Sequence, residues 1–141
     1  MIFIFIQWLI FLQKMNKFFL FFFPFFLYAT LIRFPYSFEL KKDETIKFDV
    51  LYDGHIYPFE MRWTLFINDI LVVLYKYNSF PRQVTLYKGP PLNDFKIKIA
   101  KYPEFYPYLF ITFKGFNDKI AKFEIDLFND RGVKIDFKGK K

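Results

Sequence analysis

The sequence predicts an all-β domain that follows an N-terminal hydrophobic segment. At least five segments after residue 44 alternate apolar and polar side chains, which is the period of a half-buried β-strand. Turn-forming residues separate these segments about every 8 to 14 residues, as in a small antiparallel β-protein. No segment after residue 40 sustains the period of a helix. The chain is therefore expected to divide into residues 1–37 and a single β domain over residues 38–141.

The N-terminal segment contains two apolar runs that are separated by a short charged hinge. Residues 2–12 form the first run and residues 18–32 the second, with Lys14 and Lys17 between them. Neither run reaches the ~20 residues that a helix needs to cross a bilayer. The second run, with Lys17 before it and the small residue Ala29 near its end, matches the core of a signal peptide. We therefore expect export to the periplasm or the extracellular space.

Three interpretations of this segment stay open. In the first, translation begins at Met15 and the second run is a signal peptide, so that residues 1–14 are not part of the protein. In the second, the segment is retained as an inner-membrane anchor, with Lys14 and Lys17 on the cytoplasmic side. In the third, the segment is a buried part of the folded domain. The first two interpretations place the domain outside the cytoplasm.

About eight segments of the domain are predicted as strands. Strict alternation marks most of them, as where Ile46 and Phe48 flank Lys47. Asn68-Asp69 lies between two apolar runs and tolerates positive φ, so it predicts a tight hairpin. The predicted strands cover residues 46–50, 61–67, 70–75, 84–87, 95–99, 108–113, 121–127 and 133–137.

The segment over residues 70–75 differs from the others because it is apolar throughout. A continuous apolar run is expected of a central strand that is covered on both faces. Residues 88–94 and 102–107 are predicted as loops, because their prolines cannot donate to a β-ladder. Residues 115–118 and 129–132 have the composition of turns.

The expected architecture is an antiparallel β-sandwich that resembles the immunoglobulin-like domains. A domain of about 100 residues with Trp63 on an early central strand fits such a sandwich. The chain has no Cys and so lacks the cysteine pair of antibody domains, which makes this a likeness of architecture and not of family. A small eight-stranded β-barrel is the alternative, because the short connections fit a meander as well as a Greek key.

The inventory of chemically reactive side chains is small. The chain has no Cys and a single His, His55, and its serines are Ser37 and Ser79. No catalytic triad, glycine-rich phosphate loop or thiolate metal site can be assembled from these residues. We therefore predict no catalytic residues, no cofactor and no metal site.

The charge pattern favours a solvated surface. The formal net charge is +7, and Lys14, Lys17 and Arg33 contribute three of these charges before the domain begins. Within the domain, charges of both signs are interspersed along the chain, without the basic stripe of a nucleic-acid-binding protein. We therefore expect no nucleic-acid partner.

Two groups of aromatic residues near turns are the candidate partner-binding residues. One group lies on a loop with two prolines, and the other lies around a predicted turn at residues 78–82. Rigid aromatic side chains anchor a partner at low entropy cost. The candidates are Tyr102, Phe105, Tyr106 and Tyr108 in the first group and Tyr77 and Phe80 in the second.

These observations favour a non-enzymatic exported module for protein–protein or envelope-structure interactions, acting through a strand edge or aromatic loops. The expected partner is another envelope or secreted protein, and also the membrane if the N-terminal segment is retained. One alternative is a carrier that holds a small apolar ligand or lipid in a β-barrel cavity. Another is a hydrolase that uses two of the 14 acidic residues.

Overall fold

The computed structural model describes residues 32–100, 107–129 and 131–141. Within these residues the chain forms nine β-strands and no helix, and hence no helix with the length and hydropathy to cross a membrane. All of them belong to one compact unit, Leu31–Lys141. The strands are β1 (Tyr36–Lys41), β2 (Ile46–Tyr52), β3 (His55–Ile67), β4 (Ile70–Tyr77), β5 (Phe80–Tyr87), β6 (Asp94–Lys98), β7 (Tyr108–Asn117), β8 (Ile120–Phe128) and β9 (Lys134–Lys140).

The strands form two antiparallel sheets that pack as a sandwich. The four-stranded sheet has the order β1-β8-β7-β6, and the five-stranded sheet has the order β5-β4-β3-β2-β9. The predicted antiparallel sandwich is confirmed, and the alternative of a closed barrel is wrong. The consecutive strands β5 and β6 lie in different sheets, and residues 88–93 connect them. Pro90 and Pro91 in this connection have no N–H with which to continue a ladder.

The strand order combines two meanders with an exchange of the terminal strands. Strands β2 to β5 and β6 to β8 each run as consecutive hairpins, whereas β1 pairs with β8 and β9 pairs with β2. In the immunoglobulin arrangement, strands A, B, E and D form one sheet and C, F and G the other. The likeness to that fold therefore lies in the two-sheet architecture and not in the connectivity.

Four strands differ most from the predicted segments. Strand β1 is absent from the prediction although its side chains alternate, and it begins within the N-terminal segment 1–37. Strand β7 continues to Asn117, so the turn predicted at residues 115–118 is wrong and the chain turns at Asp118-Lys119. Strands β3 and β5 begin before their predicted starts, and each early part contains a proline. Pro81 lies on an edge strand, and Pro58 lies where β3 pairs with β2 alone, because the β3–β4 ladder starts at Phe59. Both prolines therefore occupy positions where a missing N–H costs no ladder bond.

Four hairpins in the described chain close with two-residue turns in which both residues have positive φ. This is the geometry of the type I′ turn, whose twist matches that of the paired strands. The predicted hairpin at Asn68-Asp69 is confirmed. Lys119, with a φ of 66°, is an unusual residue for such a turn because Gly, Asn and Asp adopt this conformation more readily. The four turns are Asp53-Gly54, Asn68-Asp69, Asn78-Ser79 and Asp118-Lys119.

The interior consists of the inward-facing side chains of both sheets, and none of the buried residues in the described chain is polar. Aromatic rings fill much of the space, as where Phe48 stacks on Phe59 with ring centroids 4.5 Å apart. Phe38 of β1 stacks on Phe123 of β8 at 5.4 Å, so β1 is part of the core. Alternation along each strand therefore sorts the side chains into one buried face and one outer face.

Besides an exposed hydrogen bond from Lys140 Nζ on β9 to the Glu39 carbonyl on β1 at 3.1 Å, two hydrogen bonds from aromatic side chains join the two sheets. The indole Nε1–H of Trp63 on β3 donates to the carbonyl of Leu40 on β1 at 2.8 Å, in a buried position. The hydroxyl of Tyr77 on β4 donates to the carbonyl of Ile99, just after β6, at 2.7 Å. Each bond connects the five-stranded sheet with a different side of the four-stranded sheet, because β1 and β6 are its two edge strands. These bonds give the aromatic core a fixed alignment of one sheet on the other.

Replacing Trp63 with Phe is expected to lower the free energy of unfolding by about 1–3 kcal/mol, because the Leu40 carbonyl then stays buried without its donor. Urea denaturation followed by far-ultraviolet circular dichroism measures this change. Tyr52→Phe is the matched control, since no hydrogen bond of the Tyr52 hydroxyl occurs among the described residues, and we expect a change within about 0.5 kcal/mol. An equal loss in both variants would contradict the role of the Trp63 bond.

Replacing Lys119 with Gly is expected to raise the free energy of unfolding by about 1 kcal/mol, because Gly adopts the positive φ at this turn without strain. Gly54→Ala is the reciprocal variant: an added Cβ meets nothing within 4 Å, so its expected loss of about 1 kcal/mol comes from the backbone alone. Thermal denaturation of both variants checks the pair. A shift of both midpoints in the same direction would refute this explanation.

Candidate functional site

The predicted loop aromatics are described only in part. Tyr102, Phe105 and Tyr106 lie outside the described residues. Tyr108, the first residue of β7, lies on the outer face of the four-stranded sheet, 6.4 Å from Phe110 and 6.5 Å from Phe128 between ring centroids. Lys96 Nζ lies 5.1 Å from the centre of the Tyr108 ring, so a cation covers part of it. We call Tyr108, Phe110 and Phe128 the aromatic patch.

The fold separates the two aromatics of the second predicted group. Tyr77 points between the sheets, where its hydroxyl donates to Ile99 and its ring stacks on Tyr57 at 5.8 Å. Burial, with a smaller contribution from Tyr57, raises the pKa of Tyr77 well above its ordinary value. Phe80 is 66% exposed at the first position of β5. Tyr77 thus holds the sheets together, Phe80 is open to solvent, and partner binding by either residue stays a prediction.

The edge of β5 offers few groups for pairing with another strand. In an antiparallel hairpin every second residue directs its backbone groups away from the neighbouring strand. In β5 these residues are Pro81, Gln83, Thr85 and Tyr87. Pro81 has no N–H, and the N–H of Tyr87 donates to the carbonyl of Leu92 at 2.9 Å. The two outward N–H groups that remain make this edge a poor template for strand addition.

The other three edge strands are protected as well. Strand β6 has five residues and carries Lys96 in its middle. In β1 the Leu40 carbonyl accepts the indole N–H of Trp63. In β9 the Ile135 carbonyl accepts the N–H of Ile32 at 3.1 Å. Sheets avoid edge pairing by means of short edge strands, charged side chains and carbonyls that already accept a hydrogen bond. The outer faces are therefore better candidates for binding than these edges.

The outer face of the five-stranded sheet carries a contiguous group of apolar side chains beside the β3–β4 turn. The register places Leu65 next to Val72, and Ile67 next to Ile70 and then Tyr87. Leu65, Ile67 and Tyr87 are 47%, 55% and 42% exposed. No described strand lies across this face. We call these five residues the apolar outer patch.

The apolar run over residues 70–75 is the sequence signal for this patch. Strand β4 is central in its sheet, as the run predicts, and Leu71 and Val73 are fully buried in the core. On the opposite face Ile70 and Val72 remain partly exposed. Within the described residues the outer face of this strand is thus covered in part, and no described strand forms a third layer above the sheet.

A shallow open groove of about 650 Å³ continues from the patch along the same face. Glu60 lies between Lys47 and Lys76, with Nζ–oxygen distances of 3.7 and 3.4 Å. Next to them, Arg62 stands beside Leu74 in the register. Positive charge predominates in this groove. Arg82 also borders the groove, but its register partner is Tyr75, so its side chain starts from the core-facing side of β5, as do those of Val84 and Leu86. The other charged lining residues are Lys47, Arg62, Lys76 and Lys141 with Glu60, and we call this set the basic groove.

Two carboxylates stand opposite each other elsewhere on this face. Asp49 and Asp136 are register partners, and Lys138 Nζ lies 3.8 and 2.8 Å from their oxygens. The hydrogen bond to Asp136 is the main reason that the pKa of Lys138 is raised. One ammonium thus pairs with both acids, so this pair gives no support to the hydrolase alternative. Among the described residues no group of three or more His, Asp or Glu side chains lies close enough to hold a metal ion.

Replacing Tyr77 with Phe is expected to reduce the loss of stability at alkaline pH. Because the pKa of Tyr77 is raised in the fold, the unfolded chain releases this proton near its ordinary value of about 10 while the folded protein retains it. The contribution of Tyr77 to stability is therefore complete below about pH 10 and declines above it. Urea denaturation at several pH values should show a shallower decline above about pH 10 in the variant. Equal slopes in both proteins would contradict this.

No family model, curated protein or solved structure matches this chain. The function is therefore inferred from the apolar outer patch, the basic groove and the aromatic patch themselves.

Proposed function

We propose that this domain is a non-enzymatic module that binds another protein through the apolar outer patch. The observation that supports this most is the register of Leu65, Ile67 and Tyr87, which are exposed side by side on one sheet. Contiguous exposed apolar side chains mark interaction surfaces, whereas isolated ones are ordinary. The hydrogen-bonded sheet already fixes the backbone that carries these side chains, so little backbone conformational entropy is lost on binding.

The face is a better binding surface than the edges or the aromatic patch. The free edge of β5 lacks donors at Pro81 and Tyr87, which disfavours strand addition. In the aromatic patch, the Tyr108 ring is already covered by Lys96, and Phe110 stands next to Asp126 in the register. The apolar outer patch has no charged side chain among its five members.

The proposal includes export of the module. Its support is the pattern of residues 1–37, in which Lys17 precedes an apolar run of signal-peptide type. The module then acts in the periplasm or outside the cell, either free or held at the inner membrane by the retained segment. Its partner is accordingly another envelope or secreted protein.

The carrier alternative has less support than the binding module. A carrier of this kind requires a β-barrel cavity, and the predicted closed barrel is wrong. Between the sheets, stacked pairs such as Phe48 and Phe59 occupy the space that an apolar ligand would need.

A photo-crosslinking amino acid at Ile67 is expected to capture a partner protein in the native cells, because Ile67 is 55% exposed within the apolar outer patch. The adduct is expected in the envelope or secreted fraction and is identified by mass spectrometry. Position Phe128 is the matched control, since it is 59% exposed on the outer face of the other sheet.

Adducts at Phe128 with none at Ile67 would show that the aromatic patch binds the partner, and this result would refute the proposal. So would an Ile67 adduct formed solely with a second copy of the chain or with its own N-terminal segment. A cytoplasmic adduct would refute the exported location while leaving the binding surface in place.

A further inference from the structure

We propose that the partner is an acidic protein segment, whose apolar side chains cover the apolar outer patch while its carboxylates lie in the basic groove. This inference rests on the proposed function and adds the chemistry of the partner to it. The two surfaces lie on one face of one sheet, so a single partner contacts both without any rearrangement of the domain.

The basic groove has more positive charge than its own acidic residue neutralises. Glu60 is shared by Lys47 and Lys76 at 3.7 and 3.4 Å. For Arg62, which is exposed, no described carboxylate lies within ion-pair distance. An arginine without a partner presents its full set of N–H donors, and these match the two oxygens of a carboxylate.

The register sets the distance between the two parts of the surface. Arg62 and Leu74 form the row next to Leu65 and Val72, and Glu60 and Lys76 form the row after that. Successive rows on one face are about 7 Å apart, so the groove begins about 7 Å from the patch and extends to about 14 Å. A partner segment therefore needs apolar side chains followed by carboxylates within four to five extended residues, or one to three helical turns.

The same features disfavour other anionic partners. Phosphates of a nucleic acid would meet the carboxylates of Glu60, Asp49 and Asp136 on this face, and its backbone has no aliphatic groups for the patch. A lipid surface is flat and large, and its anionic headgroups would lie against the carboxylate of Glu60 in the groove. A protein segment can direct a carboxylate to Arg62 while the side chains that contact the apolar outer patch stay apolar.

The test uses the purified full chain at one constant concentration of non-ionic detergent and two fluorescent peptides. Both peptides have the same four apolar residues, followed by four glutamates in one and by four lysines in the other. Fluorescence anisotropy should give a Kd for the glutamate peptide that is at least about tenfold lower than for the lysine peptide. Raising the salt concentration from about 0.05 M to about 0.5 M should remove most of this preference.

Three variants separate the contributions. The double variant Arg62→Glu with Lys76→Glu should weaken binding of the glutamate peptide about tenfold or more and reverse the preference. Lys98→Glu with Lys114→Glu makes the same charge change on the other sheet and should leave the Kd unchanged. Ile67→Ser should weaken both peptides by a similar factor, because it reduces the apolar contact alone.

Each result has one consequence. If the glutamate and lysine peptides bind equally and Ile67→Ser weakens both, the acidic partner is wrong while the proposed function stands. If Ile67→Ser changes nothing, the apolar outer patch does not bind and both proposals fail. Tighter binding of a single-stranded DNA oligonucleotide or of phosphatidylglycerol vesicles than of the glutamate peptide would also overturn the acidic protein segment.

Discussion

The rest of the structure depends on the packing of one face of each sheet against the other. A domain of this size has a single core, and every inward-facing residue of both sheets contributes to it. The Trp63 and Tyr77 hydrogen bonds then fix how the sheets are aligned, since apolar packing itself has little directional preference. Because each strand has just two faces, the side chains that do not enter the core must lie on an outer face. An apolar residue there has no role in the core of the described domain, and this distinguishes Ile67 from Leu71.

Much of this arrangement follows from the sequence because alternation is a local property. The strand around Ile46 and the hairpin at Asn68-Asp69 require no knowledge of distant residues. The pairing of β1 with β8 is different, because it joins segments about 85 residues apart, and local pattern contains no information on it. The short alternation at Phe38 and Leu40 also follows directly on the Phe-rich segment, so it resembles the end of that segment. The beginnings of β3 and β5 were not predicted because each contains a proline. A strand accepts a proline where the missing N–H faces no neighbouring strand, and this depends on the strand order.

The candidate site was less predictable than the fold for a related reason. Exposure of a side chain depends on which layer covers it, and the sequence of β4 is the same whether or not a third layer exists. The run from Ile70 to Tyr75 therefore predicts the strand correctly, but the run alone does not give the exposure of its outer half. Tyr77 shows the opposite case, in which a residue beside a turn enters the space between the sheets because its hydroxyl reaches the Ile99 carbonyl. The basic groove had no sequence signal, because its cations come from three strands and from Lys141.

The magnitudes explain why the two surfaces have to act together. Full burial of a large apolar side chain contributes about 2 kcal/mol, so covering the exposed halves of Leu65, Ile67 and Tyr87 contributes about 3 kcal/mol. Association costs at least about 4 kcal/mol in lost translational and rotational freedom. Burial of these three side chains alone therefore gives weak binding. A charge-assisted bond to Arg62, at about 1.5–3 kcal/mol where it is shielded from water, would bring the total above that cost. In the complex that we propose, a partner without carboxylates would dissociate faster, and the groove would select the protein that remains bound.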